Sequence, residues 1–228
     1  MKPQPLSEVS PLLVSRPPDR LGDYAHQAIQ TCVGHILKQE KGVLAQRDPE
    51  FVHQMRVGLR RLRTVVQVFD VAIALPKALK DRALKQLGNV LGRVRDLDVL
   101  QNWLSNYTDQ ANLKKSEKKI LRTLTNRLKK HRKKRVAQMQ KYLQSNTYKR
   151  LTKTWQRWLK HPHYKKLACL PLDISLSDLQ LPIIAQLLLH PGWLVTDSTD
   201  PTNLEHVHAL RKLIKGIRYQ MALFRNED

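Results

Sequence analysis

One segment occurs twice in this chain. VHQMRVGLRRLRTVVQVF (Val52 to Phe69) aligns without a gap to VHALRKLIKGIRYQMALF (Val207 to Phe224). His53 matches His208, Arg56 matches Arg211, Arg60 matches Lys215, Arg63 matches Arg218 and Phe69 matches Phe224. A His-x2-Arg-x3-[Arg/Lys]-x2-Arg pattern recurring on the same aliphatic background reads as an internal duplication. The chain therefore has to fold into something that holds the same element twice, with a pseudo-twofold as the natural relation.

The repeated element has the pattern of an amphipathic helix. At 100° per residue, His53, Arg56, Arg60 and Arg63 fall within an arc of roughly 80°. Val52, Met55, Leu59, Leu62, Val66 and Phe69 fall on the adjoining arc, which is the width of a buried stripe. One face packs, and the next displays a rail of cations about 15 Å long at helical rise. Like charges at i,i+4 cost a few tenths of a kcal/mol per pair, and no acid stands between Glu50 and Asp70 to offset them. An anionic ligand would offset them. Arginine dominates the first rail, and its planar fork suits phosphate oxygens. For one helix a solvated basic face is the plain alternative. The recurrence favours a site, with two rails lining one shared basic groove.

The charge balance points to the same ligand class. The 228 residues hold 41 Lys+Arg against 19 Asp+Glu, a formal net charge of +22, and such a field favours nucleic acid, an anionic membrane surface or a phosphate polymer. Two cysteines, Cys32 and Cys169, form no CxxC and no framework, so a reducing cytoplasm is the expected compartment. The N-terminal stretch lacks the apolar run of a signal peptide. The most apolar segment, LQLPIIAQLLL (Leu179 to Leu189), is too short to span a bilayer, so no membrane insertion is expected.

Residues 1–19 read as a flexible Pro-rich lead-in. From about Leu21 the apolar spacing is helical: Leu21, Tyr24, Ala28, Cys32, His35 and Ile36 follow steps of three and four. RDPE (Arg47 to Glu50) marks the start of a second helix, with Asp48 as cap and Pro49 at its first position, running to about Ala74. The spacing predicts a third helix from Pro76 to about Leu104, a turn at NYTDQAN (Asn106 to Asn112) and a long basic helix or helix pair over 113–160. It further predicts an irregular stretch over 161–178, a short apolar helix near 178–190, a loop to Asn203 and a last helix from about Leu204. No segment has convincing strand character and glycine is scarce, so the fold class is all-α, built of long-helix bundles.

The two histidine helices, together with LGRVRDLDVL (Leu91 to Leu100), resemble the CHAD family, named for its histidines and its α-helical domain. The resemblance runs from about residue 20 to the end and implies two similar helical bundles about a pseudo-twofold. It further implies a basic central channel that binds inorganic polyphosphate, and association with polyphosphate granules. In that family a further helical hairpin follows the second histidine helix. This sequence stops four residues after Phe224, so the second repeat (about 146–228) is expected to be partial beside a first of about 20–145. The ligand set implied is His53, Arg56, Arg60 and Arg63 with His208, Arg211, Lys215 and Arg218. Arg95 of the RDLD segment joins it, and so does Lys85, about three turns upstream. Asp96 and Asp98 are expected to pair with nearby arginines and fix them. Gly216 stands where the first copy has Arg61, a position off the rail.

Other features are weaker. LKKSEKKILRTLTNRLKKHRKKRV (Leu113 to Val136) holds twelve Lys/Arg and one acid, and reads as a solvated basic face or as an auxiliary docking surface for a long polyanion. Tyr148, Trp155 and Trp158 fit bundle packing better than base stacking. The His161/His163 and His206/His208 pairs lack the Cys or carboxylate that would complete a metal site, so no metal and no cofactor is expected. No nucleotide-binding, metalloprotease or hydrolase motif is present, and Asp96 and Asp98, two apart on a helix, do not face each other. The expectation is a binder and not an enzyme. The competing reading is a general nucleic-acid-binding helical protein, which the charge supports equally but which the rails, without interleaved aromatics or Asn/Gln base readers, do not.

Overall fold

A computed structural model describes residues 19–79, 81–110, 114–197 and 200–223. The described residues form α1 (Leu21–Ala45), α2 (Pro49–Val68), α3 (Asp81–Gln110), α4 (Lys115–Gln144), α5 (Asn146–Lys160), α6 (Leu172–Leu188) and α7 (Pro201–Met221). Short 3-10 turns at Lys77–Leu79, Lys166–Cys169 and Pro191–Trp193 join them. Among the described residues extended pairing is limited to two isolated bridges, Arg20 with Pro171 and Ile73 with Tyr164. The all-α expectation holds.

The chain forms two compact units. Of the described residues, the first comprises 19–31, 61–74, 162–197 and 200–223; the second comprises 32–60, 75–79, 81–110 and 114–161. In the second unit α1 and α2 approach closely because glycines face the contact. A Cβ at Gly42 would collide with the Phe51 ring, and one at Gly58 would lie 2.8 Å from the His35 ring. His35 Nε2 donates to the Gln54 carbonyl at 3.1 Å across the same contact. The α1–α2 turn is closed by Gln46 in the left-handed region, φ 51°. Gln46 N–H donates to Val43 O and Arg47 N–H to Gly42 O, both at 3.3 Å, the bond pair of a Schellman ending. Glu50 N–H then donates to Asp48 Oδ1 at 2.7 Å, so Asp48 and Pro49 start α2 as their types predict.

In the same unit α3 and α4 pack against each other as a helical hairpin, and α5 packs on α4. Tyr148, Trp155 and Trp158 are all buried, so these aromatics pack the bundle. The Tyr148 hydroxyl donates to Glu40 at 3.1 Å. Burial first, and then the Glu40 charge, push its pKa well above the usual tyrosine range. In the first unit the start of α1 is tied to the Leu170–Leu172 segment by Leu21 N–H to Leu170 O and Leu172 N–H to Asp19 O, both 3.0 Å. There Tyr24 packs on Phe69 at 5.7 Å between ring centroids, and its hydroxyl donates to Leu223 O.

Several boundaries differ from the spacing-based ones. α2 ends at Val68, and Ile73 pairs with Tyr164. Pro76 opens a 3-10 turn, and α3 begins only at Asp81. Asn106–Gln110, expected as a turn, is helical; Thr108 satisfies its hydroxyl on Leu104 O at 2.7 Å, and Trp103 stacks on Tyr107 one turn away. Residues 161–178 are not irregular throughout, because α6 starts at Leu172 and continues through Pro182. Asp200 caps α7 through Thr202 N–H at 2.8 Å with Pro201 at the first position, three residues before the predicted start. The Pro-rich segment as far as residue 18, Leu113 and Phe224 lie outside the described residues.

Candidate functional site

In the second unit α2 meets α3 through Leu59 and the rail residue Arg56. Leu59 lies 3.5 Å from the Cβ position of Gly88, and the Arg56 guanidinium fills the space a Cβ at Gly92 would take. Arg56 can therefore lie along α3, half-buried, only because residue 92 has no side chain. Arg95 follows Gly92 by one turn and is also half-buried. It brings a second guanidinium to the face of α3 that meets Arg56. His53 is half-buried, and Arg60 and Lys85 are exposed. An arginine held against a helix surface, as Arg56 is, loses less side-chain freedom on meeting an anion than a free one does.

The acids of RDLD divide. Asp98 is buried and accepts from Arg132 Nε of α4 at 2.5 Å; Asp96 is exposed. Asp98 thus pins the hairpin, through an arginine of the basic α4 helix that spacing within α3 could not single out. Among the described residues its Oδ2 and the nearby Gln101 Nε2 have no hydrogen-bond partner.

In the first unit Arg63 is exposed, as are His208, Arg211, Lys215 and Arg218 along α7. Leu204, Val207, His208 and Arg211 edge an open depression on this helix. The Arg218 guanidinium lies 5.5 Å from the centroid of the Tyr219 ring, a distance suited to cation–π attraction. Gly216, with nothing within 4 Å of its Cβ position, is off the rail as expected. The predicted set therefore falls on three helices: α2 carries His53, Arg56, Arg60 and Arg63, α3 carries Lys85 and Arg95, and α7 carries the remaining four. Gly92, which the sequence reading passed over, is part of the site's construction. Its signal was the LG-x2-LG spacing of Leu87–Gly88 and Leu91–Gly92.

The CHAD domain profile matches residues 27–227. The chain belongs to the CHAD domain family. Among solved structures it is similar to the CHAD domain of the plant Ricinus communis, at 26% identity and a TM-score of 0.73, over 94% of this chain and 70% of that one. It also shares the fold of PptA from Streptomyces chartreusis, at 14% identity and a TM-score of 0.61, over 92% of this chain and 77% of the other. No curated protein matches the sequence. The CHAD family is linked in general to polyphosphate and triphosphate binding.

Proposed function

We propose that this CHAD domain binds inorganic polyphosphate through the cationic rails of α2 and α7, with Arg95 and Lys85 of α3 beside the first. The observation that carries the reading is the seat of Arg56 on Gly92, a glycine position that lets one guanidinium lie along α3 in a set pose. A phosphate polymer offers repeated charge and no bases, so it matches rails made of Arg, Lys and His without aromatic or amide readers. The domain acts as a binder and not as a hydrolase. Asp98 is committed to Arg132 and Asp96 points to solvent, so the close acidic pair does not converge on a cation that could activate water. Granule association in the cytoplasm is the setting this ligand suggests.

The test is binding of labelled long-chain polyphosphate at near-physiological salt, with duplex DNA and single-stranded RNA as competitors. Polyphosphate is expected to win by about tenfold or more, and its affinity to fall steeply with added salt as counterions are released. Phosphate release in the presence of divalent cations is expected to stay at background. Equal competition by nucleic acid, together with normal binding by Arg56→Ala/Arg60→Ala, would reduce the rails to solvated faces.

A further inference from the structure

The distal half of the α3–α4 hairpin exposes apolar side chains that the polyphosphate reading does not use. Trp103 is 58% and Tyr107 45% exposed, and their rings stack at 5.5 Å with an interplanar angle of 13°. Val99 and Leu100 stand out from the preceding turn of α3, and Ile120 and Leu124 from α4. The hairpin packs through Leu104, Asp98 and Arg132. With 100° per residue, Leu100 and Tyr107 on one strand of the hairpin and Ile120 and Leu124 on the other then flank the same side. Exposed large apolar groups gathered in this way mark an interaction surface, unlike a lone surface leucine.

Charge selects the occupant. α4 carries twelve Lys/Arg and one acid, Glu117. A second copy of this +22 chain would bring like charge against it. A nucleic acid would use the cations and the Trp103 face, yet leave Val99, Leu100, Ile120 and Leu124 in water. An anionic bilayer suits the shared side: the Tyr107 phenol with the Trp103 indole stacked on it at headgroup depth, Leu100, Ile120 and Leu124 at the acyl boundary, and lysines and arginines against lipid phosphate. We propose that the distal α3–α4 hairpin is a peripheral docking site for an anionic lipid surface. It lies in the interface without spanning it, since no helix among the described residues is long and apolar enough to cross a membrane.

Flotation of the full chain with phosphatidylcholine vesicles, and with phosphatidylcholine–phosphatidylglycerol vesicles, tests this at near-physiological salt. The anionic vesicles are expected to carry about tenfold more protein than the neutral ones. Trp103→Ala/Tyr107→Ala and, separately, Ile120→Ser/Leu124→Ser are each expected to lower that fraction by about fivefold. Both pairs should leave thermal unfolding and polyphosphate binding unchanged, because all four side chains are exposed. Equal capture by neutral vesicles overturns the proposal, as does undiminished capture of both variants. Binding of an acidic amphipathic peptide to the hairpin without vesicle binding also overturns it, and assigns the surface to a protein partner.

Discussion

Leu59 and Ile214 occupy the same place in the two histidine helices, yet Leu59 is 2% exposed and Ile214 40%. The contrast runs along both elements. His53 and Arg56 are half-buried where His208 and Arg211 are exposed, and Val57 is buried where Lys212 is exposed. Met55 and Leu62 match Leu210 and Ile217, and all four are buried. The inner stripe is therefore common to both helices, while Leu59 and Arg56 of α2 meet Gly88 and Gly92 of α3 and their counterparts on α7 are exposed. The first rail is seated at Arg56 and exposed at Arg60 and Arg63, whereas His208, Arg211, Lys215 and Arg218 of the second are all exposed. A cation rail needs an amphipathic helix, but how tightly its cations are posed depends on what packs against the flank.

The largest expected effect is on stability at the matched apolar pair. Leu59→Ala should cost about 3 kcal/mol by removing buried contacts, and Ile214→Ala less than about 1 kcal/mol because its side chain is half in water. Equal losses in chemical denaturation would erase the contrast. Next comes the ligand. Arg56→Ala/Arg60→Ala should weaken polyphosphate binding by about tenfold or more, and Arg211→Ala/Lys215→Ala by about threefold, since the posed guanidinium loses less freedom on binding. A larger loss from the α7 pair would reverse the assignment. Combining the two pairs sharpens it further, since non-additive losses would mean that both rails hold the same ligand stretch.

Two glycines provide the finest test. Gly92→Ala places a Cβ where the Arg56 guanidinium lies. The flexible arginine should yield, so the fold survives while polyphosphate affinity drops by about threefold. Gly216→Ala meets nothing and should stabilise the helix by up to about 1 kcal/mol, with binding unchanged. Loss of affinity in the second variant and not in the first would show that the seat of Arg56 does not matter.

Much of the fold was legible from local rules. Apolar spacing located most of the helices, and Asp48 and Pro49 started α2 where their chemistry requires. The stops were less legible. Asn, Thr and Asp at 106–109 suggest a turn, but one hydroxyl bonded within the helix and one aromatic pair across a turn extend α3 through them. Pro182 likewise does not end α6. Of the candidate site, the repeated basic pattern was visible in full, because a rail is a property of one helix and its period.

Three things were decided only by the tertiary structure: Arg132 as the partner of Asp98, the burial of Leu59 against the exposure of Ile214, and the role of Gly92. Each depends on which surface of a second helix lies opposite. Periodicity gives the direction of a side chain about its own axis and carries no record of what stands there. By itself the sequence determined the chemistry of this CHAD domain: helices throughout, a +22 charge and a His/Arg pattern repeated twice. Packing then determined which of those arginines are held in place, because that requires a neighbouring backbone close enough to touch them.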